Sequence, residues 1–155
     1  MAMRYAHAVL RDVSSNVAAG QSLEKGTGPS YAAVKADWDS YWSHLCAILG
    51  PANVHKLEAD DGLPDCMFIE DTMIVAGNTV LFTQLGHPTR RAESRAVRDL
   101  VRSHFAPRFN LVNMVEKDPI AYMDGGDVLF TGREFFVGQS ERTNMRAVRS
   151  FCALF

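Results

Sequence analysis

The spacing of apolar positions changes several times along the chain. HAVL at residues 7–10 is a short apolar run that reads as a strand. Residues 14–30 hold four Ser and three Gly with no clear period, which predicts a loop. A loop of that length and composition serves as a functional lid or stays disordered. From 31 to 49 the period becomes helical: Val34, Trp38, Tyr41, Trp42, Leu45, Ile48 and Leu49 share one face. Ser30 is the expected N-cap, and Gly50-Pro51 stops the helix. The aromatic stripe reads as core packing rather than a ligand box.

Asn53 to Leu57 predicts a strand, and Asp60-Asp61-Gly62 a turn. From Met67 the texture becomes β: MFIEDTMIV, a short Ala76-Gly77-Asn78 link, then TVLFTQ, a hairpin pattern. Leu85-Gly86-His87-Pro88 ends it. Val97, Leu100, Val101 and Phe105 mark a helix over 91–105, and Phe109 to Val115 alternates like a half-buried strand. A second hairpin follows, with DVLFT and FFVGQ around Gly132-Arg133-Glu134. Placing Asp71 on Asp127, an offset of 56 residues, aligns the two hairpins strand for strand. The order hairpin, helix, strand, hairpin indicates a repeat architecture with a period of about 50 residues. Two units and part of a third fit in the chain, and the SFCALF tail reads as the end of an incomplete repeat array.

Composition narrows the class. The 155 residues carry a formal net charge of -2 and are 47% hydrophobic, which suits a chain with its own core and disfavours a nucleic-acid partner. No apolar run approaches the ~18 residues of a membrane span, so no membrane partner is expected. Three cysteines without paired spacing suit a reducing, cytoplasmic setting. No GxGxxG, P-loop, HExxH or CxxC pattern occurs, so neither cofactor nor metal is predicted.

The candidate chemistry lies in acids and arginines. Asp65, Glu70 and Asp71 sit in LPDCMFIED, and Asp124 and Asp127 in MDGGDV, within otherwise apolar β texture. Burying carboxylates is costly unless they are paired or functional. On a strand, Glu70 and Asp71 would face opposite ways, so one would point inward. A strand-end turn with two solvated acids is the alternative. Arg90 and Arg142 follow the two hairpins and suit a bidentate carboxylate clamp, or are ordinary surface arginines. Gly125 and Gly126 between two acids allow close backbone approach or positive φ. Cys46 reads as core, and Cys66 sits beside Asp65, a charge unfavourable to a thiolate. None of the five histidines has a spacing that marks it as a base.

LPDCMFIED (63–71), GHPTRRAE (86–93) and MDGGDVLFTGREFFVGQSERTN (123–144) closely resemble the dimethylarginine dimethylaminohydrolase family of the pentein superfamily. The resemblance runs from about His7 to Asn144. It implies an α/β fold, a partial pentein-type α/β-propeller of two to three of five ββαβ modules. The whole of 1–155 would be one incomplete propeller domain, with 14–30 as a lid loop and 145–155 as a truncated or divergent tail. Family members hydrolyse N-methylated arginine to citrulline and a methylamine. A cysteine attacks the guanidinium carbon, a histidine shuttles protons and an acid orients the histidine.

Carried over by motif, Asp65, Glu70 and Asp71 would contact the guanidinium and amine, and Arg90 and Arg142 the α-carboxylate. Asp124 would be the acid that orients the histidine, and Leu23 the lid residue. Aligning Ser150-Phe151-Cys152 on the family's Ser-Phe-Cys run puts Ala147 where the histidine belongs. The family nucleophile falls outside the matched residues, so Cys152 is not expected to be it. The resemblance therefore implies a methylated-arginine ligand, no cofactor, no turnover by this chain and self-association through exposed sheet edges.

Overall fold

The apolar run near the N-terminus forms β1 (Ala8–Arg11), which pairs with β2 (Val54–Leu57) in parallel, from Ala8↔Val54 to Arg11↔Leu57. Parallel neighbours need a long crossover, and α1 (Tyr31–Leu49) supplies it. The computed structural model describes residues 5–21 and 28–155. The chain divides into two compact units, Met1–Phe68 and Ile69–Phe155.

In the first unit Leu10, Val13, Val17, Trp38 and Val54 form the core, with Val34, Trp42, Leu45 and Leu49 packed against it. Tyr41 and Ile48, expected on the same face, are exposed. The buried stripe follows 34, 38, 42, 45 and 49, and at ~100° per residue positions 41 and 48 lie roughly 60–80° from its centre. Ser30 occupies the N-cap but its side chain makes no capping bond. The helix stops at Gly50, whose φ of 83° is open to glycine without strain. The described part of the 14–30 segment includes a 3-10 turn, Val17–Ala19, with Val17 in the core.

The second unit opens with a 3-10 turn, Ile69–Thr72, where a strand had been expected from Met67. Thr72 Oγ1 donates to Ile69 O at 2.7 Å and closes that turn. The hairpin proper is β3 (Met73–Ala76) and β4 (Thr79–Phe82), joined through Gly77 at φ 57° and Asn78. A crossover through a 3-10 segment (Pro88–Glu93) and α2 (Ser94–Phe105) leads to β5 (Asn110–Asn113), parallel to β4. This is one ββαβ unit. The strand expected to reach Val115 ends earlier, because Asn113 accepts from Val115 N–H and starts α3 (Met114–Lys117).

The second hairpin is β6 (Val128–Phe130) with β7 (Phe135–Val137), antiparallel and two-stranded. It leads into α4 (Met145–Cys152), capped by the Asn144 side chain on Ala147 N–H. Ile74, Leu81, Met114, Ala121, Met123, Ala147 and Phe151 form one core cluster of this unit. The Phe151 ring meets Phe135 edge-on at 5.0 Å, so α4 is an integral packed element. The three sheets among the described residues are small and open.

Candidate functional site

In the second unit the 3-10 turns at Ile69–Thr72 and Gly125–Asp127 lie against each other. Glycine makes this approach possible. A Cβ on Gly125 would lie 2.1 Å from Glu70 O, and one on Gly126 would lie 2.6 Å from Asp71 Oδ1. Neither glycine has a positive φ, so of the two roles open to them, close approach is the one used. Gly126 N–H donates to Asp71 Oδ1 at 3.0 Å and ties the turns together.

Arg90 joins this pair of turns and is only 6% exposed. Its Nη1 donates to Asp71 Oδ2 at 2.8 Å, and its Nε and Nη2 donate to Glu93 at 2.9–3.2 Å. Glu93, 2% exposed, was not anticipated from the sequence. The signal was its spacing, since residues three apart eclipse in a 3-10 helix, and Pro88–Glu93 is one. Burial works against the Arg90 charge, but the bonds to Glu93 and Asp71 outweigh it and raise the guanidinium pKa. This guanidinium is filled by carboxylates of its own chain.

Asp124 is 6% exposed and accepts from Gly86 N–H at 2.9 Å through Oδ1. Its Oδ2 lies 3.3 Å from Arg142 Nη1 and 3.8 Å from Arg90 Nη1. Burial, and then the Asp71 charge, push its pKa above the usual 3.8 despite these donors. None of its recorded partners is a histidine. Arg142 keeps partial access to solvent and holds only Asp124 among the described carboxylates. Gly86 permits this arrangement, since a Cβ there would meet Arg142 O at 2.4 Å. Glu70 reaches solvent, yet desolvation by the surrounding chain, followed by the Asp71 charge, raises its pKa.

The structure thus brings together Glu70, Asp71, Arg90, Asp124 and Arg142, adding Glu93, Gly86 and the adjoining Thr143. Four carboxylates face two guanidinium groups, which leaves negative charge in excess. Asp65 belongs to the first unit, where its Oδ2 accepts from Gln21 N–H at 2.9 Å. Leu23 lies outside the described residues. Cys66 is buried with its thiol 3.9 Å from the carbonyls of Asp12 and Asp60, Cys46 is half-buried and Cys152 is exposed. Among the described residues there is no cluster of three or more metal-type ligands, and no helix is long and apolar enough to cross a membrane.

The sequence profile described as arginine deiminase matches residues 53–154. The chain belongs to the arginine deiminase family. Its relatives identify it further with the dimethylarginine dimethylaminohydrolases of the pentein superfamily. It is 37% identical over 120 residues to the N(G),N(G)-dimethylarginine dimethylaminohydrolase of Streptomyces coelicolor, covering 76% of this chain and 43% of that protein. It is 35% identical over 145 residues to a Bos taurus protein named DDAH2, covering 92% of this chain and 48% of that one.

The fold agrees with a solved dimethylarginine dimethylaminohydrolase from Pseudomonas aeruginosa in complex with citrulline. The TM-score is 0.83 at 21% identity, over 98% of this chain and 57% of that one. The chain therefore spans about half the length of the curated relatives it matches. Its architecture is a partial pentein fold: one ββαβ unit, a ββα unit and the βαβ of the first unit.

Proposed function

We propose that this chain carries the substrate-recognition part of a dimethylargininase-type hydrolase and binds N-methylated arginine without turning it over by itself. The observation that carries this reading is the surplus of carboxylates over guanidinium groups around Asp71 and Asp124. A surplus of negative charge in a partly buried cluster favours a cationic ligand, and a guanidinium is planar, permanently charged and matched to carboxylate pairs. Asp71, with Glu70, supplies the guanidinium and amine contacts. Arg142, the more open of the two arginines, receives the α-carboxylate. Arg90 stays in the assignment but acts from a filled position, holding Asp71 in place. The resemblance also gives Asp65 and Leu23 to substrate contact and Asp124 to orienting a histidine.

Absence of turnover rests on the sequence resemblance of Ser150-Phe151-Cys152 to the family's Ser-Phe-Cys run, which sets Ala147 opposite the family's histidine. Ala147 is buried in the α4 core and has no group that could move a proton.

Calorimetry with N(G),N(G)-dimethylarginine and with citrulline, on the purified chain, tests the reading. The cationic ligand binds and neutral citrulline binds at least about tenfold more weakly. Arg142→Ala removes binding while the circular dichroism spectrum is kept. Equal binding of both ligands, or no binding, overturns the recognition. Citrulline release at the rate of a full-length family member overturns the absence of turnover.

A further inference from the structure

A polar cavity of about 250 Å³ lies in the second unit, lined by Arg91, Ser94 and Arg98 together with Thr83, Gln84 and Asn113. Arg91, Ser94 and Arg98 are spaced by three and four residues, which puts them on one side of the 3-10 segment and α2. Arg90 and Glu93 neighbour them in sequence but serve the carboxylate cluster instead.

Three features give this cavity a chemical preference. Ser94 is 1% exposed, lines the cavity, and its Oγ has no hydrogen-bond partner. A buried hydroxyl left unpaired carries an uncompensated desolvation cost, so such groups are rare without a purpose. Arg91 is anchored by its Nε on Leu85 O at 3.1 Å, and its terminal nitrogens have no acceptor among the described residues. Arg98 has no carboxylate partner among them either. The remaining donors are already used: Gln84 Nε2 donates to Pro119 O and Ala121 O, Thr83 Oγ1 to Asp71 O, and Asn113 Nδ2 to Glu116 at 3.1 Å. The unspent donors are therefore two guanidinium groups and one hydroxyl, against a single unspent acceptor, Gln84 Oε1.

We propose that this cavity binds a small oxyanion, a phosphate or a carboxylate group, between Arg91 and Arg98 with Ser94 Oγ as a further donor. Two guanidinium groups and a buried hydroxyl satisfy several oxygens of one such ion. The site is distinct from the carboxylate cluster, whose charge is of the opposite sign. It would let the protein respond to an anion other than its amino-acid ligand.

The test is titration of the purified full chain with inorganic phosphate and with acetate, against chloride at constant ionic strength, followed by calorimetry and thermal unfolding. One saturable site is expected. Tighter phosphate than acetate points to a phosphoryl ligand, and the reverse to a carboxylate. Neither binding better than chloride overturns the proposal. Arg98→Ala, which breaks no recorded contact, weakens binding at least about tenfold, whereas the equivalent change at exposed Arg95 does not. Ser94→Ala leaves the ion-free chain as stable or more stable and loses part of the phosphate-induced rise in Tm. Unchanged affinity in Arg98→Ala overturns the assignment.

Discussion

The two hairpins of the second unit share a template and use it differently. Each follows a 3-10 turn that ends near an aspartate, Asp71 in one and Asp127 in the other. A backbone bond closes each hairpin at the end of its turn, Thr83 N–H donating to Thr72 O, the residue after Asp71, and Gly138 N–H to Asp127 O itself. Beyond that they diverge. β3–β4 gains β5 as a third strand, and β4 is buried along most of its length. β6–β7 stays two-stranded, and the directly paired Leu129 and Phe136 are 62% and 59% exposed. Asp71 holds the buried guanidinium of Arg90, whereas Asp127 accepts from the hydroxyls of Ser140 and Thr143. One backbone plan therefore supports a carboxylate paired with a guanidinium at one repeat and a carboxylate held by hydroxyl groups at the other.

Breaking the charged corner has the largest effect. Glu93→Ala leaves Arg90 buried and half-paired, and urea unfolding should show a loss of about 3–5 kcal/mol. Glu93→Gln keeps a hydrogen-bond acceptor and should lose less. Next comes the contact between the two turns. Gly125→Ala forces a methyl onto Glu70 O, which overpacks the junction and costs about 1–3 kcal/mol by the same measurement.

At the second corner, Ser140→Ala deletes the 2.7 Å hydroxyl bond to Asp127 and should cost about 0.5–1.5 kcal/mol. A value as large as that of Glu93→Ala would erase the contrast between the ion-paired corner and the hydroxyl-held one.

Asp124 should respond with the opposite sign. Its folded-state pKa is raised above 3.8, so the folded state holds its proton more tightly and the group loses stability as pH rises through that interval. Asp124→Asn keeps the acceptor for Gly86 N–H and should be more stable than the parent at pH 7. The difference should shrink below pH 3.8, where the parent is protonated in both states. Denaturation curves at the two pH values decide it; a variant less stable at pH 7 contradicts the sign. The smallest effect belongs to the open hairpin face, where Phe136→Thr should change stability by less than about 0.5 kcal/mol. A larger loss would show that this face is covered in solution.

Much of the architecture was legible in the chain because it follows local periodicity. α1, α2 and both hairpins emerged from spacing alone, whereas the two turns correspond at Thr72 and Asp127, one residue off the pairing of Asp71 with Asp127 read from the sequence. The boundaries were legible only where a backbone signal marked them, as at Gly50. They failed where a side chain ended an element early: Thr72 closing a 3-10 turn, and Asn113 capping α3. Of the site, the residue types were legible, but the partners were not. By residue type Arg90 read more readily as an ordinary surface charge than as a clamp, and only packing shows it saturated by Glu93 and Asp71.

Sequence by itself determined which segments are helix and strand, where the repeat falls and which acids and arginines are candidates. Those properties depend on neighbours within a turn or two, where periodicity and steric preference dominate. The tertiary structure decided which carboxylate meets which guanidinium, why Gly125 and Gly126 carry no side chain, and which arginines remain unspent. Such pairings are set by distance across folded elements, and hydrogen-bond and charge energies change steeply over an ångström or two. No local pattern encodes that distance.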